Sequence, residues 1–139
     1  MAEFIRVIQA PNNSVAPGTA FTIDTQVLNT IPGFVTASAG AGGTVFTLLA
    51  GNYIFDYEMS TEAASSVALY KGTSSGSLII DTDTISGSST GTTWIHGRAA
   101  LIVPSMLVVA VSSVVGTAAV TIAGTAAGFY MIRVVIQKL

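Results

Sequence analysis

Cysteine is missing from this 139-residue chain, which excludes disulfides and thiol chemistry. Histidine occurs once. One imidazole and no thiolate rule out the usual zinc sets. Charge is the scarcest common commodity. Asp, Glu, Lys and Arg make up 9% of the residues, against about 25% in an ordinary soluble domain. Net charge is −2, so the basic footprint of a nucleic-acid binder is absent. No amphipathic helical period stands out, and no Gly-x-y run occurs. The most helix-like window, Ser60–Tyr70, is short and ends in Val67–Ala68–Leu69–Tyr70, which suits a strand.

What is present is half hydrophobic before 14 glycines are counted. Valine, isoleucine and threonine dominate, as strands prefer. The length fits one domain able to bury roughly 68% of its unfolded surface. A lone monomer would show water few charges, and net charge near zero favours association. Burial in an oligomer, packing into a larger assembly and insertion into a membrane all fit that surface. For the membrane, Leu101–Gly124 carries no charge, and a spanning helix needs about 20 such residues. Pro104, Ser105, Ser112, Ser113, Gly116, Thr117, Thr121 and Gly124 interrupt it, so it reads as short strands with turns. The first residues, MAEFIRVIQA, hold Glu3 and Arg6 and are followed by Pro11; they lack the apolar core of a secretory signal.

Ten strands are expected: Phe4–Gln9, Phe21–Asp24, Thr44–Leu49, Tyr53–Met59, Ser66–Tyr70, Leu78–Asp81, Thr93–Val103, Leu107–Val111, Ala118–Ile122 and Phe129–Lys138. Turns rich in glycine or serine separate them at Ala39–Gly43, Ala50–Asn52, Lys71–Gly76, Ser86–Gly91 and Gly124–Gly128. Short strands at spacings near ten residues indicate an all-β sandwich or barrel. Tyr53, Phe55, Tyr57 and Met59 share one face of their strand; Asn52, Ile54, Asp56 and Glu58 share the other. In the last strand both faces are apolar, so both are expected to be covered, one by the opposite sheet and one by a neighbouring subunit. Residues 1–18 read as an N-terminal strand or arm with a connector at Pro11–Gly18, and 19–139 as the single folded domain.

The run Phe46–Thr47–Leu48–Leu49–Ala50–Gly51–Asn52–Tyr53–Ile54–Phe55–Asp56–Tyr57 resembles the globular heads of complement and tumour-necrosis-factor-like proteins. There a strand and a small-residue turn precede a Tyr-x-Phe-x-Tyr strand. Val67–Ala68–Leu69–Tyr70–Lys71–Gly72 is similar to that superfamily's apolar strand and Lys-Asn-Gly turn. Gly97–Leu101 resembles its Gly-x-x-x-Leu strand, and Gly128–Ile132 its closing strand. The likeness extends over Phe21–Leu139. One departure is Pro104–Ser105–Met106, where the superfamily has Gly-Asp before a strand. The resemblance implies a jelly-roll β-sandwich of about ten antiparallel strands, assembled as a homotrimer. By matching positions it makes Phe55, Tyr57, Trp94, His96, Phe129 and Met131 candidates for the trimer interface, where core filling is the plainer role. Relatives of this kind also serve on spore surfaces and as capsid decoration (cement) proteins. A domain beginning at Met1 without signal or stalk suits the capsid setting, with residues 1–18 as an arm. The implied partners are sibling copies and major capsid subunits, at the virion surface or otherwise on a cell or spore surface or extracellular. The alternative is a trimeric adhesin or a receptor- or carbohydrate-binding module using loops 71–77 and 86–92. Neither nucleic acid nor membrane is an expected partner.

Chemistry is not expected. Gly72–Thr73–Ser74–Ser75–Gly76 matches G-x-S-x-G, and Asp81 or Asp83 and then His96 follow in hydrolase order. That serine needs a strand-to-helix elbow, whereas a Ser/Gly loop and a strand surround Ser74. Asp81-x-Asp83 offers two oxygens to calcium, which takes six to eight; strand-end carboxylates in solvent are the better reading. Ala39–Gly43 lacks the helix and Lys-Ser/Thr of a phosphate loop. Asn12–Asn13–Ser14 is a sequon in form alone. His96 lies at period two from Trp94 and Arg98, a position for a buried histidine or for a pH-sensitive contact. No metal and no cofactor is expected.

Overall fold

A computed structural model describes residues 2–8, 14–23, 25–40, 42–61, 64–88, 93–114, 120–121 and 132–139. Among these residues eleven strands are present: β1 (Glu3–Ile8), β2 (Ser14–Val15), β3 (Thr25–Asn29), β4 (Val35–Gly40), β5 (Gly43–Thr61), β6 (Ser65–Gly72), β7 (Ile79–Ile80), β8 (Ser86–Ser88), β9 (Thr93–Ser113), β10 (Val120–Thr121) and β11 (Ile132–Lys138). A single 3-10 turn, Thr82–Thr84, sits between β7 and β8. Nine strands join one antiparallel sheet in the order β3-β1-β11-β5-β9-β6-β7, with β4 on β5 and β8 on β6; β10 and β2 form a separate pair.

The long antiparallel pair of β5 and β9 runs through both layers of that sheet. Its first layer runs β3-β1-β11 and then the Asn52–Thr61 half of β5 against Thr93–Ile102 of β9. The second layer runs β4, the start of β5, Met106–Ser113 of β9, and β6 with β7 and β8. The expected turn at Ala50–Asn52 is instead continuous strand beside a bulge, where the register slips by one residue because Ala50 of β5 stands opposite both Pro104 and Ser105 of β9. A bulge adds one residue to one strand and reverses which side chains face inward beyond it. Accordingly Thr44, Phe46 and Leu48 are buried before it, and Tyr53, Phe55, Tyr57 and Met59 after it.

The two layers meet through aromatic rings. Phe46 of the second layer stands edge-on to Phe4 at 5.9 Å and to Phe55 at 5.6 Å, both from the first. Tyr57 crosses the same space, and its hydroxyl lies 3.1 Å from the Thr84 carbonyl and 3.3 Å from that of Val67. Burial pushes the Tyr57 phenol up, an effect partly offset by a hydrogen bond with Ser86. Ile132, Val134 and Ile136 of β11 complete the inner face.

Several local expectations change. Phe21–Ile23 is not strand; the strand is Thr25–Asn29, and Asp24 lies outside the described residues. Val35–Gly40 and Ser14–Val15 are strands that the sequence did not indicate, and Ser86–Ser88 is a short strand within an expected turn. Thr93–Val103 and Leu107–Val111 are one strand, because Pro104 and Ser105 are carried along the bend without breaking it. β1 is an interior strand of its own sheet, paired on one edge with β11 and on the other with β3.

At the rim of the second layer, Lys71 Nζ lies 2.6 Å from Asp81 Oδ2. Asp81 also accepts from the Asp83 amide at 3.2 Å and so opens the 3-10 turn. The hydrogen bond from Lys71 holds the Asp81 carboxyl below its usual value of 3.8. A depressed folded-state value means the stabilisation is present above that pH and is lost as acid protonates the folded carboxylate. Asp81→Asn should therefore melt lower at neutral pH by about 0.5–1 kcal/mol, as for a half-exposed pair. In strong acid the variant and the parent should melt together; a difference that persists there would contradict the ionic origin.

Candidate functional site

The open face of the first layer gathers the chain's scarce charges. Alternation along β9 sends Ile95, Gly97, Leu101 and Val103 inward, and leaves Trp94, His96, Arg98, Ala100 and Ile102 exposed. On β5 the same side carries Ile54, Asp56 and Glu58; on β11, Arg133, Val135 and Gln137; on β1, Glu3 and Ile5. Trp94 is 57% exposed and Ile102 83%.

Within that face, Asp56 Oδ1 lies 3.3 Å from His96 Nε2 and 3.8 Å from Arg98 Nε. Arg133 Nη1 stands 3.7 Å from Glu58 Oε1, and Gln137 Nε2 donates to Glu3 Oε1 at 3.1 Å. Between these groups is a shallow hollow of about 280 Å³, floored by Tyr57 and walled by Glu3, Asp56, Glu58, His96 and Arg133. Asp56 Oδ1 is shielded from solvent and makes no hydrogen bond. Its neighbours are near enough for charge but poorly aligned for donation.

Of the six residues proposed for a trimer interface, two point the other way. Phe55 and Tyr57 are wholly buried in the core of their own protomer and offer nothing to a neighbour. Trp94 and His96 are on the open face. Phe129 and Met131 lie outside the described residues. The pairing of His96 with Asp56, and the exposure of Ile102, were not read from the sequence. Both follow from the β5–β9 register, which sets Glu58 against His96 and Asn52 against Ile102.

The hydrolase pattern does not assemble. The Ser74 and Ser77 hydroxyls share a 3.0 Å hydrogen bond in an exposed loop, while His96 sits beside Asp56 on the first layer. Asp81 is committed to Lys71, and the described residues hold no group of three or more metal-ligating side chains. No helix among them is long and apolar enough to cross a membrane. A second hollow, about 600 Å³, opens on the other layer between Gly18–Ala20, Gly42–Gly43 and Ser75–Gly76.

No family model and no curated protein sequence matches the chain. Solved structures do. The globular domain of zebrafish complement 1qA superposes with a TM-score of 0.64 at 13% identity, covering 100% of this chain and 96% of that one. The Eiger TNF of S. frugiperda gives 0.67 at 12%, covering 99% and 90%. Murine APRIL gives 0.67 at 10%, covering 99% and 98%. The fold is therefore the complement-head and TNF-like jelly roll, the one that the aromatic strand motif resembles.

Proposed function

We propose that three copies of this chain associate through the open face of the first layer, and that the trimer is a non-enzymatic structural protein. Its setting is the surface of a phage or virus shell, where it decorates and cements neighbouring capsid subunits. The observation that carries self-association is the exposure of Trp94 and Ile102 on that face, in a chain with 9% charged residues. The jelly-roll likeness supports a three-fold arrangement. The shell setting rests on the resemblance and on a surface fitted for broad shallow contact. Cementing needs only mass action, since a protein that binds the assembled shell and not its parts stabilises the shell.

The native mass of the full chain decides the first step. A particle of three times 14.2 kDa is expected, and Ile102→Lys should reduce it to one chain without unfolding it. A compact monomer at high concentration would end the reading. Removing the protein from its shell should lower the temperature at which the shell ruptures, and no change would remove the cementing role.

The hollow beside Ser75 and Gly76 favours a second reading, a carbohydrate or receptor site multiplied by three-fold avidity. A glycan array with the native particle separates it from cementing.

A further inference from the structure

Five of the chain's 12 formally charged residues, Glu3, Asp56, Glu58, Arg98 and Arg133, share the open face with its sole histidine. That concentration is informative, because charges are costly at a surface that is to be covered. Three carboxylates face two guanidinium groups. With His96 neutral the face carries one net negative charge; with His96 protonated it carries none. We propose that His96 makes the association of this face acid-strengthened, each chain taking up a proton as the trimer forms. The inference rests on the trimer reading above.

Every charged group around the imidazole on the described elements bears on the sign. On β5, Asp56 lies 3.3 Å away and Glu58 is the direct cross-strand partner of His96. On β9 itself, Arg98 shares Asp56 with it. From β11 and β1, Arg133 and Glu3 line the same hollow, and Arg133 is directed to Glu58. In the free chain the His96 side chain is 60% exposed and that of Arg98 61%, so water screens their fields. A covering subunit removes that water and strengthens each pair. Asp56 Oδ1, shielded and without a hydrogen bond, then gains most from a charged donor at His96.

A proton held more tightly in the assembled state makes association stronger as pH falls. The gain reverses below about pH 4, where the carboxylates themselves are neutralised. With one such proton per chain, the chain concentration at half-dissociation should fall by more than about tenfold between pH 8 and pH 5.5.

Sedimentation equilibrium on dilution series of the full chain, at constant ionic strength from pH 5.5 to 8.5, tests this. The expected result is a trimer whose half-dissociation concentration drops on acidification, and variants His96→Gln and Asp56→Asn that remain trimeric with a flattened response. A trimer with the same midpoint at every pH, or an undiminished response in His96→Gln, overturns the proposal and leaves the trimer standing. A monomer at every pH and concentration overturns both. Far-ultraviolet circular dichroism of each variant confirms that the measurement concerns association and not unfolding.

Discussion

Gly97→Ala should unfold this protein or cost it at least about 3 kcal/mol, the upper range for an overpacked core. Gly97 of β9 is the direct cross-strand partner of Tyr57, and the Tyr57 ring packs against it. A Cβ at position 97 would fall inside the van der Waals envelope of the Tyr57 ring carbons and hydroxyl. The ring has nowhere to go. It is fully buried, and its hydroxyl is tied to carbonyls at Val67 and Thr84 on the opposite layer. A domain of this size has about 5–15 kcal/mol of stability in total, so this single methyl removes a large share. Urea denaturation of the variant measures the loss. The double variant Tyr57→Leu, Gly97→Ala identifies the cause. Removing the ring's outer edge gives the methyl room, so the two losses should sum to clearly more than the double loss. Additive losses would mean that the clash is elsewhere.

That pairing also explains how much of the site was legible in the sequence. Alternation along Tyr53–Met59 was readable because one side of that strand is dry and aromatic while the other carries Asp56 and Glu58. The same period in β9 was readable at Trp94, His96 and Arg98. The relation between the two strands was not. Cross-strand register decides whether odd positions of one strand share a face with odd or even positions of the next, and a slip of one residue exchanges them. With Tyr57 opposite Gly97, Trp94 and His96 join Asp56 and Glu58, not Phe55 and Tyr57. The resemblance placed these four, with Phe129 and Met131, on one interface; the register divides the four between core and open face.

Missed strands have a different cause. β3 is exposed along Thr25–Leu28 and only half-buried at Asn29, so it has no dry face to write a pattern. β4 is built of small residues, Thr36 to Gly40 after Val35, and sits on the rim of its layer. At Ala50–Asn52 the glycine signal was correct but has two outcomes, a turn or a bulge. Here β5 continues as strand, because β9 takes up the extra residue of the bulge at Pro104–Ser105 and keeps β5 paired on both sides. The all-β class and the inward aromatic row were thus available from residue chemistry alone. The folding-over of a single sheet into two layers depended on the pairing of β5 with β9, between residues 32 to 63 positions apart.

The second large effect is expected at the centre of that folded sheet. Phe46→Ala should lower stability by about 3–5 kcal/mol, the range for deleting a buried aromatic ring. Phe46 belongs to the part of β5 before the bulge, whereas Phe55 belongs to the part after it. Their edge-to-face contact at 5.6 Å, with Phe4 completing the stack at 5.9 Å, exists only because the bulge turns both rings inward. Such pairs add about 0.5–1.5 kcal/mol beyond the area they bury. Phe34→Ala is the comparison. That ring is 42% exposed, and Lys138 Nζ sits 4.6 Å above it. Its loss should cost about 1 kcal/mol or less, the scale of an exposed cation–π contact. Urea midpoints at several protein concentrations measure both, since dissociation of an oligomer would otherwise be counted as unfolding. Phe46→Leu should recover most of the deficit by refilling the space. If Phe46→Ala and Phe34→Ala cost the same, the two layers are not clasped by this ring, and the bulge at Pro104–Ser105 has no part in closing the sandwich.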